Sequence, residues 1–110
     1  TRTSGEIIGQ FAVYKDARFV KGFVPGTFSE VPKDAKFSVV FYDCDLYRPA
    51  LDTYEFFWER LSEGGVILVH DYFSPPGEFE GVKKATDEFC MRQRARLTPF
   101  WQNTMAVIQK

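Results

Sequence analysis

Cysteine is scarce in this chain: Cys44 and Cys90 are the only two in 110 residues. Neither sits in a C-x-x-C pair, so two reduced thiols in a cytoplasmic protein are expected. An excess of charge of either sign is also lacking. The formal net charge is −1, which gives no electrostatic basis for a nucleic-acid or polyanion partner. No apolar run approaches the roughly 18 residues a membrane span needs, and the N-terminal residues lack a signal-peptide pattern, so no membrane partner is expected. Glycine-rich phosphate signatures are missing too. No G-x-G-x-x-G or P-loop pattern occurs, and Gly64-Gly65 precedes an apolar run instead of opening a helix. No serine occupies a strand-to-helix elbow such as G-x-S-x-G, which removes that route to a serine–histidine–aspartate triad. Repeats, low-complexity stretches and a composition break are absent, so residues 1–110 are expected to form one domain. Thr1 stands where an initiator Met would, which points to a processed chain or one excised from something longer.

What the chain does have is apolar and aromatic bulk. Hydrophobic residues make up 45% and aromatics 17%, with twelve phenylalanines, enough to pack a core and to argue against disorder. Ile7, Ile8, Phe11 and Tyr14 recur at helical spacing over Gly5–Tyr14, with Gly5 and Gly9 weakening that helix. Arg18–Val24 alternates and is closed by Pro25-Gly26, which predicts a strand. Phe37–Tyr42 is apolar apart from Ser38, the pattern of a strand covered on both faces in a parallel sheet. Pro49 marks the first turn of a helix whose Leu51, Tyr54, Trp58 and Leu61 share one face. Ser62–Gly65 is expected to stop that helix, the glycines supplying left-handed backbone or close approach. Val66–Val69 is a second buried strand, completing a right-handed βαβ unit over about thirty residues. Gly81–Ala95 predicts a further helix through Val82, Ala85 and Phe89. Leu97–Trp101 and Thr104–Ile108 predict a closing hairpin at the sheet edge, where Pro99 is tolerated.

Chemistry gathers where the two apolar strands end. Asp43 and Asp45 flank Cys44 after the first, and His70-Asp71 ends the second. In open α/β sheets ligands bind beyond the carboxyl ends of the strands, and two neighbouring parallel strands would bring these groups together. Carboxylates with an imidazole suit a divalent cation. His70 could equally be a general base whose tautomer a carboxylate fixes. The plainer alternatives are that Asp43 and Asp45 cap the following helix and that His70 bonds a loop backbone. Tyr47, Tyr72, Phe73 and Trp101 either form an aromatic rim around this edge or pack the sheet against its loops.

Four segments in order, Arg18-Phe-Val-Lys-Gly-Phe23, Phe41-Tyr-Asp-Cys-Asp-Leu-Tyr-Arg-Pro49, Gly64-Gly-Val-Ile-Leu-Val-His-Asp-Tyr72 and Gly81-Val-Lys-Lys-Ala-Thr-Asp-Glu-Phe89, resemble the C-terminal half of class I S-adenosylmethionine-dependent methyltransferases. Among these the chain is most similar to the macrocin O-methyltransferase type, which methylates sugar hydroxyls in antibiotic biosynthesis. The resemblance implies an α/β, Rossmann-like sheet of about five strands, mostly parallel with an antiparallel C-terminal edge strand and helices on the faces. It implies S-adenosylmethionine as cofactor, a small hydroxylated acceptor, and a divalent metal such as Mg or Mn. By position, the metal ligands fall on Asp43, with Asp45 the weaker claimant, and on His70 and Asp71; Asp43 is also the candidate base.

The chain departs from the family twice. His70 stands where the family has a carboxylate, and a neutral imidazole suits Mn²⁺, Fe²⁺ or Zn²⁺ better than Mg²⁺, or acts as the base itself. The family's first two strands, with the glycine-rich cofactor loop, have no counterpart. Their loss leaves strand edges exposed, for which a homodimer is the expected remedy. The alternatives to an enzyme are a non-catalytic methyltransferase-fold domain that dimerises, or a simple divalent-metal-binding domain.

Overall fold

The computed structural model describes residues 16–73, 80–102 and 104–110. The expected helix over Gly5–Tyr14 and the Pro-rich loop at 74–77 lie outside the described residues. After a short 3₁₀ turn at Gly26–Glu30 come β1 (Phe37–Tyr42), α1 (Tyr47–Arg60), β2 (Leu61–His70), α2 (Glu80–Gln93), β3 (Arg96–Phe100) and β4 (Met105–Gln109). The strands form one sheet in the order β1-β2-β4-β3. β1 and β2 are parallel, with Val40 opposite Ile67 and Tyr42 opposite Val69. β4 runs antiparallel to both β2 and β3. The strand–helix–strand unit and the closing hairpin therefore form as the sequence patterns imply, and Pro99 lies on the edge strand β3.

Three expectations need correction. Arg18–Val24 is not a strand, so the described sheet has four strands instead of about five. Its residues are almost all exposed and no described strand offers them a hydrogen-bond ladder; alternation alone is a preference that packing must realise. The sheet is not mostly parallel either, since only one of its three strand pairs is. Finally, Ser62–Gly65 is no separate helix stop. β2 begins at Leu61, directly after α1, and takes in the glycines. Gly64 has φ +80°, and a Cβ on Gly65 would come within 2.8 Å of Leu61 Cγ, so the two glycines serve the left-handed turn and the close approach respectively.

Among the described residues the core lies on one face of the sheet. Val40, Tyr42, Ile67, Val69, Ala106 and Ile108 point to it and meet α1 and α2 there. From α1 come Ala50, Leu51 and Tyr54, and from α2 come Val82, Ala85, Phe89 and Cys90. The Tyr54 hydroxyl is fully buried but satisfied, 2.8 Å from Thr86 Oγ1, which itself donates to the Val82 carbonyl at 2.7 Å. Tyr54 also meets Tyr42 and Phe89 with ring centroids at 5.5 and 5.6 Å. On the opposite face Val39 and Phe41 remain 56% and 55% exposed. The unbroken apolar run of β1 suggested cover on both faces; the described residues cover one. No described helix is long and apolar enough to cross a membrane.

Candidate functional site

The β1/β2 register decides what meets at the sheet's carboxyl edge. With Tyr42 opposite Val69, the next residues along are Asp43 and His70. His70 Nδ1 lies 3.1 Å from Asp43 Oδ1 and 2.9 Å from Asp71 Oδ2. This buried nitrogen thus has two charge partners at close range and no hydrogen-bond partner of good geometry. Asp43, His70 and Asp71 each offer one donor atom, and these atoms all lie within 4.8 Å of one another. The three residues singled out in the sequence are thus brought together.

Asp71 is turned inward by its backbone. Its φ is +57°, left-handed, a conformation that Asp adopts more readily than most residues. The turn lets consecutive residues His70 and Asp71 face one another instead of pointing to opposite sides of the strand. Asp45 joins the cluster at its margin: its carboxyl is raised above the usual range by slight desolvation first, then by Asp71 and Asp43. The imidazole of His70 is raised by its contact with Asp71 above all, against the opposing effect of burial, with Asp43 and Asp45 adding to the rise. Two carboxylate oxygens within 3.1 Å of one imidazole nitrogen form a cluster of donor atoms that a cation would suit.

The helix-capping alternative for the aspartates is not what the structure shows. α1 has Leu46 at its N-cap with no side-chain cap bond, and its first turn carries no acidic residue. Pro49 falls within that first turn, where its missing N–H breaks no helical bond. The expected aromatic rim divides. Tyr72 is buried and Tyr47 half-buried, each donating to a carboxylate of α2, while Phe73 and Trp101 are exposed. Phe41 was not singled out in the sequence, yet its ring centroid stands 6.4 Å from that of His70 on the open sheet face. The signal was available: Phe41 is the odd partner of Val40 and Tyr42 in a period-two strand. Cys44 and Cys90 are free thiols, the first exposed and the second buried. Partial desolvation of the Cys44 sulfur holds its thiol above the usual range first, followed by Asp43 and Asp45, so it is not a poised thiolate.

The sequence profile of the macrocin O-methyltransferase (TylF) family matches residues 8–106. The chain belongs to this family. The O-methyltransferase NovP is similar in fold, with a TM-score of 0.72 and 24% identity over 98% of this chain and 45% of its own. CalS11, a TDP-rhamnose 3'-O-methyltransferase of calicheamicin biosynthesis, is similar with a TM-score of 0.60 and 21% identity, covering 78% of this chain and 36% of its own. No curated protein matches by sequence. The chain therefore spans less than half the length of the two solved methyltransferases it resembles. Within the macrocin O-methyltransferase fold, the Asp43–His70–Asp71 cluster occupies the carboxyl edge of β1 and β2.

Proposed function

We propose that this chain forms the acceptor-side wall of an S-adenosylmethionine-dependent O-methyltransferase. The observation that carries this reading is the convergence of Asp43, His70 and Asp71 within 4.8 Å around an imidazole nitrogen that has no directed hydrogen bond. Two carboxylates and one imidazole form a donor set that suits Mn²⁺ or Fe²⁺ better than Mg²⁺. When bound, such a cation supplies Lewis-acid polarisation of an acceptor hydroxyl, and S-adenosylmethionine supplies the electrophilic methyl group.

The chain's own residues then hold the acceptor oxygen and receive its proton. Asp43 is the more exposed of the two carboxylates, its side chain 56% accessible against 26% for Asp71, and would take the proton that the acceptor hydroxyl gives up on methylation. His70 fills the same role in a site without a cation, because its raised basicity makes the imidazole a stronger proton acceptor. Phe41, beside the imidazole on the open face, gives an acceptor ring an apolar surface. The acceptor class is a small hydroxylated molecule, a sugar or natural product, in keeping with the named activity of CalS11. The two free thiols favour a cytoplasmic setting.

Isothermal titration of S-adenosylmethionine into the chain tests the enzyme reading. Saturable heat supports it; no heat at millimolar cofactor removes it for this chain. The exposed Val39 and Phe41 favour a second reading, a methyltransferase-fold domain that associates as a homodimer. Light scattering distinguishes that outcome.

A further inference from the structure

The corner that turns Asp71 toward His70 is held from outside the cluster. Asp71 keeps a left-handed backbone, φ +57°, and such a residue persists only when its surroundings fix it. The fixing is done by the next residue. The backbone N–H of Tyr72 donates to the Thr104 carbonyl at 3.0 Å, tying the corner to the β3–β4 turn. The Tyr72 side chain is buried, and its hydroxyl donates to Asp87 Oδ1 at 2.5 Å. Asp87 Oδ2 accepts from Lys83 Nζ at 2.6 Å, one turn earlier on α2. The same ammonium sits 5.4 Å from the Tyr72 ring centroid and 5.5 Å from that of Phe73. Both oxygens of Asp87 are thus engaged, and the ion pair stiffens the acceptor that the phenol binds. The hydrogen bonds and ion pair of Asp87 go to Tyr72 and Lys83, not to Asp43, His70 or Asp71.

We propose that Asp87, braced by Lys83, is a positioning residue: through the Tyr72 hydroxyl it fixes the Asp71 corner and so the spacing of the Asp43–His70–Asp71 donors. The cation part of this inference rests on the reading given under Proposed function; the corner part does not. Charge-assisted hydrogen bonds of this kind hold their partners firmly, and loss of one loosens the local backbone before it unfolds the domain.

The test reads the corner and the cation separately. Hydrogen exchange at the Tyr72 amide, followed by NMR without metal, reports the corner; Mn²⁺ binding followed by electron paramagnetic resonance reports the site. In Asp87→Ala the Tyr72 amide is expected to exchange about tenfold faster and Mn²⁺ affinity to fall about three- to tenfold, the loss of one charged hydrogen bond. Asp87→Asn keeps an acceptor for the phenol and is expected to restore most of both. Tyr72→Phe keeps the buried ring and removes only the hydroxyl, which guards against a variant that fails to fold. Arg92→Ala, at the far end of α2, breaks an exposed ion pair with Glu55 of α1 and is expected to change neither readout. An unchanged Tyr72 amide in both Asp87→Ala and Tyr72→Phe overturns the proposal. If the amide responds while the wild-type chain binds no Mn²⁺, the corner role stands and the cation reading falls.

Discussion

Asp43 and His70 meet at 3.1 Å because β1 and β2 run parallel and in register, Tyr42 opposite Val69. Each is the first polar side chain after an apolar stretch, and each strand's burial on the helix-covered face fixes where that stretch must end. A one-residue slip of either strand would turn its core residues to the open face, so the register that protects the core also brings these two groups together. Asp71 completes the arrangement only through its left-handed backbone.

The pH dependence of His70 follows from this crowding. Its imidazole is expected to titrate above the ordinary value of about 6.5, with Asp71→Asn lowering the midpoint more than Asp43→Asn. The folded state then binds the proton more tightly than the unfolded state. The stabilisation is fully present below about pH 6.5 and is lost as pH rises through the folded-state value. Imidazole NMR titration, together with urea midpoints across that window, checks both the value and the sign; stability from His70 that grows on raising the pH would contradict it.

Gly64 and Gly65 should fail differently. Gly65→Ala puts a Cβ 2.8 Å from both Leu61 Cγ and the Ser62 carbonyl oxygen, and is expected to destabilise by about 1–3 kcal/mol. Gly64→Ala meets no atom within 4 Å and suffers only its positive φ, expected to cost about 1 kcal/mol. Urea denaturation of the two variants should rank them in that order.

In the core, Phe89→Ala removes a fully buried ring that touches Tyr54 and Trp58 and is expected to cost about 3–5 kcal/mol. Tyr54→Phe should cost only about 1 kcal/mol, because Thr86 Oγ1 keeps its bond to the Val82 carbonyl. A Tyr54→Phe variant as stable as the wild type, or more so, in calorimetry would mean that the Tyr54–Thr86 bond is not made in solution.

The open sheet face gives a prediction about association. If the exposed Val39 and Phe41 are where copies meet, Phe41→Lys should convert a dimer into a monomer by light scattering while leaving the circular dichroism unchanged. A wild-type chain that is monomeric at high concentration removes the homodimer.

Much of this was legible in the sequence because local pattern and tertiary outcome agree. The apolar runs of β1 and β2, the helical spacing of Leu51 and Tyr54, and Val82, Ala85 and Phe89 on α2 all name core positions that the structure buries. Asp43, His70 and Asp71 were legible because they terminate those runs. What could not be read was what depends on partners. Arg18–Val24 alternates like a strand but pairs with no described strand, and nothing in the composition of Phe37–Tyr42 shows that the described residues would cover one face of it. The positive φ of Asp71 and the brace from Asp87 through Tyr72 depend on distant segments meeting, and no local signal marks them.

The most direct test of the site is Mn²⁺ binding to the wild-type chain and to Asp43→Ala, followed by electron paramagnetic resonance at pH 7.5 or above (where His70 has given up more of its proton). A single saturable site in the wild type, weakened at least tenfold in Asp43→Ala, is expected from three donors within 4.8 Å. Binding that is absent, or equal in the two proteins, would contradict the assignment of Asp43, His70 and Asp71 as a cation site.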